Sequence, residues 1–317
     1  CDWSSDVCSS DLYTIPSKTG YNAGWSVPSG GGLVSGNSIT LLSSSDIVAK
    51  ATYTPILYTI SYNYNAADLR TGYTNSNASS YYITSNTITL STSMFKTKNG
   101  YSTPVWTEGG SVVSTIPKGS TGNRYFTLSY PTIDYTITYD TMGGIGNHNN
   151  PVTYNIESST ITLKQGNLAK TGYIFDGWYT TKTGGSKVSS VNKGSYGNKT
   201  FYARWIPKTY NITYNLNGGE IYDDSYYPES YNIESRIILN KDYIFRAGYK
   251  IKDFKIGNDI VTQIGPNMIG DITIDVIWEV ITYSYIINDM DGALLYSGSY
   301  NINTSDIILS EKVDIPD

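Results

Sequence analysis

The chain has 317 residues, with 22 basic and 27 acidic side chains, two cysteines, one histidine and 31 tyrosines. A net charge of −5 gives no electrostatic footprint for nucleic acid or an anionic membrane, and no apolar run approaches the roughly 18 residues that would span a bilayer. Tyr, Thr and Ile suit a half-buried pleated surface while Gly and Asn supply turns, so the chain reads as mostly β.

Residues 1–12, Cys-Asp-Trp-Ser-Ser-Asp-Val-Cys-Ser-Ser-Asp-Leu, match nothing later in the chain. Their back-translation resembles a sequencing-library adapter read in frame. They are set aside from fold reasoning as an artificial segment, and Cys1 and Cys8 with them. Taking Asp2, Asp6 and Asp11 from the 27 acids leaves 24 against 22 bases, a charge of −2. No cysteine remains from residue 13 onward, which argues against a disulfide scaffold and against thiol-based metal sites.

Internal repeats organise the rest. Tyr58-Thr-Ile-Ser-Tyr62 recurs as Tyr135-Thr-Ile-Thr-Tyr139, Tyr210-Asn-Ile-Thr-Tyr214 and Tyr283-Ser-Tyr-Ile-Ile287, at spacings of 77, 75 and 73 residues. Each is followed by a second landmark, Tyr81-Tyr-Ile83, Tyr154-Asn-Ile156, Tyr231-Asn-Ile233 or Tyr300-Asn-Ile302. An apolar pair comes next, as in Ile161-Thr-Leu163 or Ile307-Ile-Leu309. The third landmark is Gly-Tyr leading to a large aromatic: Gly20-Tyr21 to Trp25, Gly100-Tyr101 to Trp106, Gly172-Tyr173 to Trp178, and Gly248-Tyr249 to Phe254. Lys118-Gly-Ser-Thr-Gly-Asn123 and Lys193-Gly-Ser-Tyr-Gly-Asn198 then lead in the same register to closing aromatics, Tyr130 and Trp205.

Closing and opening aromatics stay five positions apart: Tyr53 and Tyr58, Tyr130 and Tyr135, Trp205 and Tyr210, Trp278 and Tyr283. Pro55, Pro131 and Pro207 stiffen three of these short connections. The expected division is a partial repeat at 13–57, full repeats at 58–134, 135–209 and 210–282, and a partial repeat at 283–317.

Within a unit the side chains alternate with period two. Tyr210, Ile212 and Tyr214 are expected on one face and Asn211 and Thr213 on the other; Phe201, Ala203 and Trp205 oppose Tyr202 and Arg204 in the same way. Asn217-Gly218-Gly219 and Gly143-Gly144 follow opening strands, where a tight reversal needs positive φ. Four or so short strands around a small aromatic-aliphatic core are expected per unit, with Leu163 to Ala169 as the one stretch that could form a turn or two of helix.

The segment Gly172-Tyr-Ile-Phe-Asp-Gly-Trp-Tyr179, then Gly184-Gly185, then Thr200-Phe-Tyr-Ala-Arg-Trp205, resembles the Listeria–Bacteroides repeat, the family of the internalin-type B repeats of bacterial surface proteins. Residues 58–134 depart from it by carrying Ser102-Thr-Pro-Val105 between the aromatics, and 210–282 by carrying Phe254 for the tryptophan. The resemblance implies a compact ubiquitin-like β-grasp fold repeated in tandem as an extended rod, an α+β variant of the mostly β class. It also implies an exported, extracellular or cell-wall location, and no catalytic residue or cofactor.

Candidate chemistry outside the repeat pattern is sparse. His148 lies in Gly-Asn-His-Asn-Asn, among amides and glycines rather than a carboxylate and a serine, and reads as a solvated loop residue. One histidine excludes a multi-histidine zinc site. Asn288-Asp-Met-Asp-Gly292 has the alternating oxygens of a calcium loop but occupies the hairpin position of Asn215-Leu-Asn-Gly-Gly219. Glu220, Asp223 and Asp224 sit in one loop without a cleft for a sugar. Tyr196, Tyr222, Tyr226 and Tyr227 fall outside the landmarks, and the Tyr222, Tyr226, Tyr227 cluster is the expected binding surface, offering ring faces to a glycan or to a host or extracellular protein. The function expected is a non-catalytic spacer or stalk that projects another domain, with a repeat-borne adhesin as the alternative. No nucleic-acid partner and no direct membrane insertion are expected.

Overall fold

A computed structural model describes residues 15–29, 32–35, 38–41 and 48–306. The 1–12 segment with Cys1 and Cys8, and the apolar Ile307-Ile-Leu309, lie outside the described residues. Two single 3-10 turns, Ala66–Asp68 and Asp224–Tyr226, are the only helical elements among the described residues. No helix there is long and apolar enough to cross a membrane. The rest is strand and turn.

Three five-stranded sheets share one plan. The first is built from Leu57–Asn63, Ser80–Tyr82, Val105–Glu108, Ser111–Val113 and Arg124–Ser129. The second uses Tyr135–Asp140, Thr153–Tyr154, Tyr173–Tyr179, Lys187–Val188 and Lys199–Pro207. The third uses Tyr210–Asn215, Ser230–Tyr231, Tyr249–Ile256, Asp259–Val261 and Ile272–Val280. Counting the strands of each sheet in chain order, all three are laid out 2-1-5-3-4. Strands one and five run parallel, through Phe126↔Tyr62, Phe201↔Tyr139 and Ile274↔Tyr214, and the other pairs are antiparallel. A parallel pair needs a crossover between its strands. Here the crossover is not helical: the intervening chain makes strands two to four and a further two-stranded ladder, such as Ile88–Thr89 with Thr115–Ile116 or Ile237–Ile238 with Gln263–Ile264.

The expected period-two alternation is present. Ile60, Ile137 and Ile212 are buried at the centre of the opening strands, and Phe126, Phe201 and Ile274 are buried on the adjacent closing strands. Trp106, Trp178 and Phe254 are each 1 % exposed and anchor the cores from the third strand. Tyr62 packs on Trp106 at 4.9 Å between ring centroids, and Tyr139 on Trp178 at 5.0 Å, distances at which tilted aromatic pairs attract.

Polar landmarks act as clasps across these layers. The Asn closing each Lys-Gly-Ser motif accepts a backbone N–H of the opening strand: Asn123 from Thr59 and Asn198 from Thr136, with Asp271 taking the same place toward Asn211. The second-strand tyrosines reach the preceding glycine carbonyl, Tyr81 to Gly122, Tyr154 to Gly197 and Tyr231 to Gly270. Asn217 and Gly218 both take positive φ in the turn closed by Gly219 N–H to Leu216 C=O, as the reversal requires. Gly144 and Gly219 let Trp205 and Trp278 lie flat on the backbone, since a Cβ would stand 2.4 Å from the indole in each case.

Two expectations are corrected. Each sheet has five strands rather than four or so. Leu163 to Ala169 forms no helix: Leu163 donates to Ser189 in an extended run, the Asn150 amide clasps both backbone groups of Lys164, and Gly166 turns with φ +65°. Two shorter hairpins flank the three sheets, Tyr21–Ser29 with Val48–Pro55 and Tyr283–Asn288 with Leu294–Tyr300.

The described residues divide into two compact units, one of those up to Thr136 with 153–160 and 192–198, the other of 137–152, 161–191 and those from 199 on.

Candidate functional site

One polar and apolar arrangement recurs at every Gly-Tyr landmark. Gly20, Gly100, Gly172 and Gly248 hold φ between +76° and +80°, which only glycine adopts without strain. A Cβ at each would fall within 2.5–2.7 Å of an isoleucine side chain from the second landmark downstream: Ile83, Ile156, Ile233 and Ile302 respectively. The isoleucine therefore plugs a socket floored by bare backbone. The glycine carbonyl also accepts from the chain as it leaves the closing strand, from Ile56, Ile133, Lys208 and Ile281 at 2.9–3.0 Å.

Side chains reinforce two of the four plugs. Tyr101 Oη donates to Glu157 at 3.0 Å, and Tyr173 Oη to Glu234 at 2.8 Å. Both phenols are raised above the ordinary tyrosine range, first because each donates its proton to that carboxylate. A cation two residues before each glycine lies over a nearby ring: Lys18 over Tyr21, Lys98 over Tyr130, Lys170 over Tyr173, and Arg246 over Tyr249, at 3.9–4.4 Å from the centroids. Its signal in the sequence is a basic residue at a fixed offset before Gly-Tyr, a regularity that lies beside the landmark rather than in it.

The tyrosines expected to form a binding surface divide. Tyr222 and Tyr226 are 66 % and 42 % exposed. Tyr227 is not part of any surface: it is 3 % exposed, packs edge-on against Tyr214 at 5.4 Å, and donates its hydroxyl to the Asn240 carbonyl. Sequence position alone hides this, because the 3-10 turn Asp224–Tyr226 points alternate rings outward and inward. Tyr243, which the sequence did not single out, is half-buried and packs against the two exposed rings. It stacks on Tyr226 at 3.7 Å with 9° between the planes and meets Tyr222 at 5.7 Å. Its phenol is pushed up to about 12, first by its hydrogen bond with Tyr226 and then by burial and by Asp223 nearby. Tyr196, also 51 % exposed, accepts from the Asn99 amide at 3.3 Å.

His148 is a further correction. It is half-buried rather than solvated, 4.1 Å from the Tyr139 ring and edge-on to Trp178 at 5.6 Å. Its Nδ1 accepts from the Asn150 N–H at 3.0 Å, and burial holds its pKa below the ordinary histidine value. A shallow cavity of about 440 Å³ nearby is bounded by Phe175, Asp176, Trp178 and Lys187. Its polar groups are satisfied within the protein, Asp176 by Lys187 at 2.9 Å and by the Tyr179 hydroxyl. In the Asn288 to Gly292 loop, Asp289 accepts from Asp291 N–H and Ala293 N–H, so the carboxylate holds the turn. Among the described residues no three His, Cys, Asp or Glu side chains group to hold a metal ion.

Residues 135–204 match the model of the Listeria-Bacteroides repeat domain. No curated protein and no solved structure matches the chain. Repeats of this kind are typical of bacterial surface and extracellular proteins and are generally non-catalytic. The tryptophan anchor, the glycine-floored socket and the asparagine clasp of that segment are thus the working parts of a Listeria–Bacteroides repeat, the family to which residues 135–204 belong.

Proposed function

We propose that the chain is a non-catalytic spacer region of a bacterial cell-surface protein, a tandem array with units at 58–134, 135–209 and 210–282 and partial units at 13–57 and 283–317. The observation that carries this is the glycine–isoleucine plug, built four times with the same backbone conformation and the same carbonyl bond. Each plug joins a Gly-Tyr turn to an isoleucine 54–63 residues further on, across a short connection that carries proline in three of the four cases. Such joints restrict bending between neighbours, which a projecting stalk needs and a flexible linker lacks. The strand order 2-1-5-3-4 with a parallel central pair supports a β-grasp unit in which loops and a short ladder replace the helix. A unit of this size has a radius of gyration of roughly 11 Å, so each adds about 25–35 Å of reach to a rod.

Small-angle scattering of the whole chain tests the proposal. A rod gives a maximum dimension that grows by that increment per unit, and Gly100→Val with Gly172→Val, which bar both plugs, lowers the persistence of the particle while each sheet stays folded. A compact particle, or a wild-type chain as flexible as the double variant, would falsify the spacer reading.

A further inference from the structure

Several tyrosine rings elsewhere in the chain lie beneath its own cations. Lys170 sits 4.3 Å over Tyr173, Arg204 3.5 Å over Tyr179, and Arg246 4.0 Å over Tyr249. The Tyr222, Tyr226, Tyr243 cluster has no such cover. Among the described residues no lysine or arginine lies over any of its rings. Three carboxylates stand in the same segments, Asp223 and Asp224 between the first two tyrosines and Asp242 beside the third. None of them has an ion-pair partner among the described residues. The nearest base in sequence, Lys241, is turned away and donates to the Lys252 carbonyl.

The rings are also held in place. Tyr226 is fixed by its stack on Tyr243, and Tyr222 by its hydroxyl bond to the Asp242 carbonyl at 2.5 Å. Asp223 caps the intervening turn by accepting from Ser225 N–H. A rigid aromatic surface loses little entropy on binding, and a ring quadrupole flanked by unneutralised carboxylates attracts positive charge. Neither the 58–134 nor the 135–209 segment carries a Tyr-Asp-Asp-Ser-Tyr run.

We infer that the Tyr222–Tyr226–Tyr243 cluster with Asp223, Asp224 and Asp242 is a docking surface for a cationic, arginine- or lysine-rich segment of another protein. The side chains of that segment stack on the tyrosines while their charges meet the aspartates. This surface is independent of the spacer role, since it lies within 222–243 and includes none of the glycines or isoleucines of the plugs.

The test uses the full chain and a fluorescently labelled peptide of alternating arginine and glycine, read by anisotropy at low salt. The same peptide with glutamate for arginine and a labelled neutral oligosaccharide are run beside it. Saturable binding of the arginine peptide alone is expected. Each exposed cation–π contact is worth roughly a two- to fivefold change in affinity, so Tyr222→Ala with Tyr226→Ala should weaken binding about tenfold. Asp223→Asn, Asp224→Asn and Asp242→Asn together should flatten its salt dependence. No binding by the unaltered chain overturns the inference. So does binding that the tyrosine variant leaves unchanged, which is general electrostatic attraction, and so does binding of the oligosaccharide in place of the peptide. If circular dichroism shows the tyrosine variant unfolded, ring-proton shifts in the unaltered chain decide. Shifts at Tyr222, Tyr226 and Tyr243 support the surface, and their absence removes it.

Discussion

In the second sheet the Lys164 carbonyl accepts two donors, the Trp178 indole N–H at 2.9 Å and the Asn150 amide at 2.8 Å. The first sheet repeats this at Ser91, with Trp106 and Asn77 as donors. The third sheet has Phe254, which has no N–H to give, and Tyr227 three residues before its second strand, where the others have Asn77 and Asn150. There the corresponding carbonyl, Asn240, accepts from the Tyr227 hydroxyl. Two departures from the repeat pattern thus answer one another. A buried carbonyl must be paired, and the third sheet pairs it from the position that carries Asn77 and Asn150 in the others.

The largest expected effect comes from removing the anchor common to the first two sheets. Trp178→Ala takes away a side chain that is 1 % exposed and should cost about 3–5 kcal/mol. Hydrogen exchange resolved by segment should then show protection falling across 135–207 and holding across 249–280. Equal losses in both would mean that the two cores are not separable.

Next is the compensating pair itself. Tyr227→Phe takes the hydroxyl donor from the Asn240 carbonyl and should cost about 1–3 kcal/mol. Trp178→Phe leaves the Lys164 carbonyl still bonded to Asn150 and forfeits only one of two donors. The decisive version is the exchange Phe254→Trp with Tyr227→Asn, which rebuilds the arrangement of the second sheet inside the third. Each single change should destabilise more than the double, with a coupling of about 1–2 kcal/mol in a denaturant cycle. Additive single changes would dissolve the comparison.

The same pair explains what could be read from the sequence and what could not. Opening and closing strands were legible because Tyr-x-Ile-x-Tyr and Phe-x-Ala-x-Trp alternate with the pleat, and the turn at Asn217-Gly218 because only such residues accept positive φ. Tyr227 stands outside every landmark, and a residue outside the pattern reads as a surface one. It belongs to the core through a second exception, Phe254, twenty-seven residues away, and no local pattern links the two. Asn77 and Asn150 were equally hidden, since an asparagine before a strand reads as turn chemistry until the carbonyl it clasps is seen. The half-buried ring of Tyr243 was hidden for a related reason. It follows Lys-Asp in a polar stretch, and only the stack on Tyr226 brings it to the surface cluster.

A smaller effect separates glycines that serve the plug from glycines that serve a loop. Gly172→Ala meets both a φ of +76° and Ile233 Cδ1 at 2.5 Å, so it should cost about 1–3 kcal/mol and loosen the Tyr173–Glu234 contact. Gly184→Ala has positive φ but nothing within 4 Å, so only the backbone penalty of about 1 kcal/mol applies. Thermal unfolding of the two variants side by side orders them. Equal losses would show that the isoleucine yields and the socket is not a tight joint.

The smallest expected effect is a difference in acid response between the two cores. His148 Nδ1 accepts the Asn150 N–H, a role open only to the neutral ring, and the ring is wedged against Tyr139 and Trp178. Burial lowers its folded-state pKa, so the unfolded chain takes up a proton first. Stability in the second sheet is therefore full above the ordinary histidine value of about 6.5 and declines as pH falls below it, levelling once the folded form is protonated too. The third sheet has no histidine and should stay flat through that window. The first sheet supplies the control, because Asn75 Oδ1 accepts the Asn77 N–H in the same geometry without titrating. His148→Asn should keep the bond and abolish the slope, as read by segment-resolved exchange between pH 7 and 5. A slope that survives in the variant would place the titrating group elsewhere in the second sheet, and not at Asp176, whose carboxylate is lowered by its hydrogen bonds from Tyr179 and Lys187.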